Sequence, residues 1–247
     1  MYRFYVTQGQ IQETEIVIVG QDVDHIKRVL RMKTGEEVVI CNGQGKDYVC
    51  SITEMSNETI TLKILSCEDT ISELQTRITL FQGLPKKDKM ELIVQKAVEL
   101  GAYEIIPVMT KRTIVKLDDK KKEQKKIERW QTIATAAAKQ SGRGIIPQVK
   151  EVMTYQGAIA YAKTLDYNII PFEHEEGMKK TRENIKKACE VRKVGIFIGP
   201  EGGFEDSEIE AAKREKIEPI TLGKRILRTE TAGLTTLSIL MYELESK

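Results

Sequence analysis

Histidine and cysteine are scarce in this 247-residue chain, with two of the first and four of the second. His25 and His174 alone are too few for a His-rich metal site. Cys41, Cys50, Cys67 and Cys189 show no C-x-x-C pair, which excludes a zinc ribbon and gives no disulfide framework. A reduced protein without metal is therefore expected. No run approaches the roughly 20 apolar residues that cross a bilayer. The segment Met1-Tyr2-Arg3-Phe4-Tyr5-Val6-Thr7 alternates like a strand and lacks the apolar core of a secretion signal. The expected location is cytoplasmic, with no membrane partner. The length leaves room for one large domain or two modest ones, with material for a buried core.

Net charge is low at +2, yet the charges are unevenly placed. Residues 1–70 carry 7 Lys/Arg against 11 Asp/Glu, whereas residues 111–143 carry 11 basic against 4 acidic side chains. A basic stripe of that kind is either a solvated helix face or an electrostatic footprint for nucleic acid.

Short alternating runs at 2–6, 15–19, 37–41, 48–55 and 59–65 predict strands, with one or two helical turns over 24–32 and turn residues such as Asn42-Gly43-Gln44-Gly45 between them. Five short strands point to a small barrel, and the polar stretch 66–73 reads as a linker. Beyond it, strands and helices alternate, the mark of a mostly parallel sheet flanked by helices. Strands are expected at 78–82, 105–109, 168–172, 194–198 and 219–222. Helices are expected at 87–100, ending at Gly101, at 118–140 and at 231–244. In the long basic helix, Ile127, Trp130, Ile133, Ala134 and Ala137 recur at three- and four-residue spacing, so one face is apolar and the lysines point outward.

Two glycine-bearing loops follow the last strands: Gly199-Pro200-Glu201-Gly202-Gly203 and the stretch from Leu222 to Ala232. Loops at the carboxyl ends of neighbouring strands form the usual ligand crevice of an open α/β sheet. Neither loop carries G-x-x-x-x-G-K-[ST] or G-x-G-x-x-G, and Glu201 would repel phosphates. A neutral ring read by main-chain groups fits better, which suits adenine and methionine moieties. The second loop adds apolar Ile226 and Leu227, cations Arg225 and Arg228, and Thr229-Glu230-Thr231, which can cap the final helix.

Gly199–Phe204 and Leu222–Ala232 resemble the signature segments of the bacterial 16S ribosomal RNA uridine-N3 methyltransferases, of the knotted SPOUT class. Lys89–Gly101 looks like that family's first helix. Ala136-Ala137-Ala138-Lys139-Gln140-Ser141-Gly142-Arg143 with Ile146-Pro147 looks like its Gln-Ser/Cys-Gly-Arg segment, and His25–Arg31 resembles part of its N-terminal barrel. Glu205 stands where members often have Ser or Thr, which leaves Asp206 or Ser207 to cap the next helix.

The resemblance implies a PUA-like RNA-binding β-barrel over residues 1–70. A trefoil-knotted SPOUT α/β domain with a mostly parallel sheet would cover 71–247. It also implies a homodimer, S-adenosylmethionine as cofactor, and methylation of uracil N3 at a decoding-region uridine of 16S ribosomal RNA in the 30S subunit. Phe172, Gly199, Gly203, Leu222, Gly223, Ile226 and Leu227 would form the cofactor pocket, largely through main-chain contacts. Arg228 would stabilise the uracil anion, and Glu230 or Glu201 would take the N3 proton. Lys27, Arg28, Arg31, Lys89 and Arg143 would contact RNA, with Lys33 completing the one basic cluster of the acidic N-terminal part. Two other readings remain: a SPOUT methyltransferase for tRNA or 23S ribosomal RNA, and a non-catalytic RNA-binding protein.

Overall fold

The structure is a computed structural model describing residues 1–115, 119–173 and 177–246. His174, Lys116 and Asp118, which entered the sequence reading, lie outside the described residues. The chain separates into two compact units. The first comprises Met1–Glu73 with Ala138–Ile146, and the second Leu74–Ala137 with Pro147–Lys247.

In the first unit, β1 (Tyr2–Tyr5), β2 (Glu15–Val19), β3 (Glu37–Cys41), β4 (Lys46–Met55) and β5 (Thr59–Asp69) form one sheet in the order β1-β3-β4-β5-β2. Only β1 and β3 pair in parallel. Alternation sends Ile16, Ile18, Val38, Ile40, Cys50, Ile52, Ile60 and Leu62 to one buried face. Val23 and Ile26 close that face from α1 (Gln21–Asp24) and the π-helical turn His25–Val29 that continues it. Two register shifts in β4, at Val49/Cys50 and Ile52/Glu54, bend the sheet into a half-barrel.

The expected linker at 66–73 is corrected in part. β5 runs to Asp69, pairing Cys67, Glu68 and Asp69 with Tyr48, Asp47 and Lys46. Its polar composition is that of an exposed strand end. Glu73 accepts from Arg143 Nε at 3.2 Å and from the backbone N–H groups of Gly144 (2.8 Å) and Ile145 (3.1 Å). These bonds fasten the returning segment 138–146, where Gly144 is required because a Cβ would lie 2.2 Å from Thr70 Oγ1.

The second unit contains, in chain order, β6 (Arg77–Gly83), α2 (Lys89–Glu99), β7 (Ala102–Met109), α3 (Lys120–Gln140), β8 (Gln148–Val149), β9 (Met153–Thr154) and α4 (Tyr155–Ala162). It continues with β10 (Tyr167–Pro171), α5 (Met178–Ala188), β11 (Lys193–Ile198), α6 (Asp206–Arg214), β12 (Ile217–Ile220) and α7 (Thr229–Glu245). The sheet is parallel throughout, ordered β12-β10-β11-β6-β7-β8, with β9 also on β7. β6 and β11 are buried on both faces, as parallel strands between helix layers are. Phe81 on β6 stacks on Phe197 of β11 with centroids 4.2 Å apart, and Tyr155 and Phe204 extend that cluster.

Four helices differ from expectation. α4 and α5 went unread. α5 hides because its buried face includes the polar Thr181 and Asn184. α6 is capped by Glu205 itself, not by Asp206 or Ser207, since Glu208 Oε2 accepts from the Glu205 N–H at 2.9 Å. α7 starts at Thr229, two residues early, with Arg228 as N-cap.

Candidate active site

The loops leaving β10, β11 and β12 meet at the carboxyl ends of these strands and enclose a cavity of about 640 Å³, within the usual range for small-molecule sites. Its walls are Ile198–Phe204 and Thr221–Thr229, with Phe172, Glu173, Lys89 and Ala232. Phe172, Gly199, Gly203, Leu222, Gly223, Ile226 and Leu227 all line this one cavity, together with Arg228 and Glu201.

Specific bonds set the loop shapes. In the first loop the Gly203 N–H donates to the Pro200 carbonyl at 2.9 Å, closing a turn with Glu201 near its tip. Gly203 takes φ +67° and Gly223 φ +107°, where side chains are strained. No atom lies within 4 Å of a Cβ at either, so main chain stands bare in the wall. The end of β6 comes close beneath: a Cβ on Gly83 would sit 2.6 Å from Pro200 N. Thr229 Oγ1 accepts from Gln82 Nε2 at 2.9 Å and donates to the Gly199 carbonyl, joining β6, α7 and the first loop. Arg112 Nη1 donates to the Gly202 carbonyl at 2.8 Å. The second loop is anchored by Thr181, whose Oγ1 accepts from the Thr221 N–H at 3.0 Å.

Lys89 and Glu201 line the cavity, and Glu230, outside its lining, pairs with Lys89. Lys89, the first residue of α2, places Nζ 3.2 Å from Glu201 Oε1 and 3.3 Å from Glu230 Oε2. Glu201 also accepts from the Lys86 N–H at 3.1 and 3.3 Å. Burial pushes the Glu201 carboxyl up, but backbone hydrogen bonds from its own N–H and that of Lys86, with the Lys89 ammonium, outweigh it and hold the group below its ordinary range. The hydrogen bond to Glu201 holds the Lys89 ammonium above its ordinary value against desolvation, with Glu230 adding to it. Arg228 does not pair with Glu230; it is exposed on the cavity rim beside exposed Lys224 and Arg225.

The residues assigned to RNA are scattered. Lys27 Nζ donates to the Ser56 carbonyl at 2.6 Å, Arg28 pairs with Asp24 at 3.1 Å, and Arg31 is exposed. Lys89 belongs to the cavity just described. Arg143 is corrected: it is 4% exposed and its Nη2 lies 2.5 Å from Glu73 Oε2, so its charge is buried in the first unit and not offered to phosphates. On α3, Lys120, Lys121, Lys122, Lys125 and Lys126 are exposed while Ile127, Trp130 and Ala134 are buried. Among the described residues no cluster of His, Cys, Asp and Glu could hold a metal, and no helix is long and apolar enough to cross a membrane.

Reading the sequence missed Gln82, Arg112 and Thr181 as loop anchors, and missed Lys89 as a member of the cavity. Only the Lys89 signal was accessible, as a lysine at a helix start after a strand. The others act across 40 to 147 residues of chain.

Residues 72–241 match the family described as RNA methyltransferase domain, and residues 18–65 the RNA methyltransferase PUA domain. A ribosomal RNA small subunit methyltransferase E from Bacillus subtilis is 34% identical over 99% of this chain and 98% of its own length. One from Mesomycoplasma hyopneumoniae is 34% identical over 96% and 98%. The crystal structure of the Neisseria gonorrhoeae ribosomal RNA small subunit methyltransferase E bound to S-adenosyl methionine covers 98% of both chains, with TM-score 0.81 and 29% identity. A methyltransferase from Legionella pneumophila, also in complex with that cofactor, superposes with TM-score 0.78 at 32% identity over 98% of this chain and 97% of its own. The N-terminal unit is thus PUA-like and the C-terminal unit a parallel α/β methyltransferase fold, and the chain belongs to the RNA methyltransferase family that includes ribosomal RNA small subunit methyltransferase E.

Proposed function

We propose that this chain transfers a methyl group from S-adenosylmethionine to N3 of a uracil in the decoding region of 16S ribosomal RNA, with the assembled 30S subunit as substrate. The observation that carries the reading is the composition of the cavity. Bare main chain at Gly203 and Gly223 stands in the same wall as the apolar side chains of Phe172, Ile226 and Leu227. That mix of main-chain hydrogen-bonding groups and apolar surface suits an adenine ring and a methionine chain. The S-adenosylmethionine bound by the gonococcal and Legionella relatives, and the small-subunit RNA for which the Bacillus and Mesomycoplasma relatives are named, support the same choice.

S-adenosylmethionine, when bound, supplies an electrophilic methyl group on a sulfonium. The main chain of Gly199, Gly203, Leu222 and Gly223 reads the hydrogen-bonding edge of its base. Phe172, Ile226 and Leu227 cover its apolar surface, Ile226 with an exposed side chain in the cavity wall. Uracil N3 carries a proton at neutral pH, so its lone pair becomes available only when that proton leaves. Arg228, exposed on the rim, stabilises the anion on O2 and O4. A carboxylate, Glu230 or the cavity-lining Glu201, takes the proton.

The exposed lysines of α3 hold phosphates without reading sequence, and the choice of uridine then rests on RNA shape and an unstacked base. Lys27, Arg28 and Arg31 are the basic groups that the PUA-like unit offers. The reading also includes a cytoplasmic homodimer and a knotted chain path at the cavity; exposed Ile239 and Tyr242 on α7 supply apolar surface for a second copy.

The test is methyl transfer from labelled S-adenosylmethionine to unmodified 30S subunits, naked 16S RNA and tRNA, followed by nucleoside analysis. N3-methyluridine formed preferentially in 30S subunits is the expected result. Label in tRNA, or on another atom, overturns the proposal.

A further inference from the structure

Exposed cations stand on both sides of the cavity mouth. Along the carboxyl edge of the sheet the strands follow the order β12, β10, β11, β6. The loops after β12 and β6 therefore flank the cavity three strand spacings apart, ~14 Å. Residues 84–88 and 221–228 together hold Lys86, Lys87, Lys224, Arg225 and Arg228 against the single acid Asp88. All five cations are exposed, and their side chains make no ion pair or hydrogen bond among the described residues. The nearby carboxylates are engaged elsewhere: Glu201 by Lys89, and Glu205 by Lys111 at 3.2 Å.

Two features fix the pair that follows β6. The Lys86 N–H donates to Glu201, which lines the cavity, at 3.1 Å. That bond holds the loop against the cavity wall through main chain alone and leaves the Lys86 ammonium to solvent. Lys87 takes φ +57°, in the left-handed region where glycine fits and a side chain is strained. A long cation in such a position, beside a ligand cavity, points to work done by its side chain.

We propose that these two loops grip the RNA strand on either side of the target nucleotide: Lys86 and Lys87 bind phosphates on one side, Lys224 and Arg225 on the other, and the base between them enters the cavity. This rests on the functional reading above. Ammonium and guanidinium groups form charge-assisted hydrogen bonds to phosphate oxygens and carry no base selectivity. Turning a base out of its stack is unfavourable, and phosphate contacts on both sides of it offset that loss while fixing its place. Arg228, the N-cap of α7, is left for the uracil, and Arg112 is tied to the Gly202 carbonyl.

The experiment measures affinity for unmodified 30S subunits across salt concentrations, and S-adenosylmethionine affinity by calorimetry. The variants are Lys86→Gln with Lys87→Gln, Lys224→Gln with Arg225→Gln, and, as control, Lys186→Gln with Lys187→Gln in the exposed last turn of α5. Each mouth pair should bind 30S subunits about tenfold more weakly at physiological salt and lower the slope of log affinity against log salt by about 1.4, since one contact to a single strand is worth about 0.7. Cofactor affinity should stay at the wild-type value, and the control should keep the wild-type slope. Lys87→Gly removes the charge and the backbone strain together, so its melting temperature should hold or rise while its affinity for 30S subunits falls. An unchanged slope in either mouth pair overturns the proposal, even where binding weakens, because a contact that releases no counterions is not to phosphate. So does an equal loss of slope in the control, cofactor affinity lost in step with RNA affinity, or Lys87→Gly binding as wild type does. Nucleoside analysis of the wild-type product separates the two levels. RNA methylated on another atom, with the slopes lowered, sinks the functional reading and keeps the grip, whereas N3-methyluridine with unchanged slopes sinks the grip alone.

Discussion

Thr229 Oγ1 donates to the Gly199 carbonyl at 2.5 Å, so one hydroxyl joins the first residue of α7 to the first residue of the loop after β11. The same oxygen accepts from Gln82, which is fully buried in β6. Thr229→Val keeps the shape and removes both bonds, leaving the buried Gln82 amide with only its bond to the Gly83 carbonyl and taking the hydroxyl from the Gly199 carbonyl. The expected cost is about 1–3 kcal/mol, with S-adenosylmethionine affinity reduced at least tenfold as the loop relaxes. Thermal melts and calorimetry measure the two effects, and Thr229→Ser should recover both.

The close approach of Gly83 to Pro200 makes a second, steric prediction. A methyl group there meets the main chain of the first loop, which cannot rotate aside. Gly83→Ala should cost about 1–3 kcal/mol and weaken cofactor binding by displacing Gly199–Gly203. Gly9→Ala, where no atom lies within 4 Å of the new methyl, is the control. Equal melting temperatures for the two variants would contradict the geometry.

Glu201 gives a pH dependence with a definite sign. A carboxyl lowered in the folded state contributes stability that is complete above its ordinary value of 4.5 and is lost as pH falls through the lowered one. The stability gap between wild type and Glu201→Gln should therefore be widest above about pH 5 and close toward acid. Urea unfolding from pH 3 to 8 reads it. A gap that widens on acidification would mean that the backbone hydrogen bonds and Lys89 do not outweigh the burial of Glu201.

Two kinds of basic residue should separate cleanly in RNA binding. Replacing Lys120, Lys121, Lys122, Lys125 and Lys126 by Gln should lower the slope of log affinity against log salt by up to about 4, with little change in stability. Arg143→Leu should leave that slope unchanged and destabilise the first unit by about 3–5 kcal/mol, because Glu73 stays buried without its partner. Salt titrations of 30S binding together with thermal melts distinguish them.

Much of the fold was legible because single-strand and single-helix periodicity is local. The alternation at Ile16/Ile18 and Ile60/Leu62, and the glycine loops after Ile198 and Ile220, could be read from neighbours in sequence. The end of β5 could not, since Cys67–Asp69 are polar and become strand only by pairing with Lys46–Tyr48. α5 was hidden by Thr181 and Asn184, whose burial depends on partners elsewhere in the fold. Arg143 misled for the converse reason: an arginine in a basic segment looks solvent-facing until Glu73 meets it across 70 residues.

By itself the sequence determined that the chain is a barrel-like β part followed by a parallel α/β part, with two glycine loops at one end of the sheet. Those properties follow from side-chain alternation and backbone freedom, which act within a few residues. Tertiary structure alone decided that Lys89 stands between Glu201 and Glu230, that Arg228 is left to the rim, and that Thr229 locks the first loop. Ionic and hydrogen-bond partnerships depend on distances of about 3 Å between residues far apart in the chain, and only folding sets those distances.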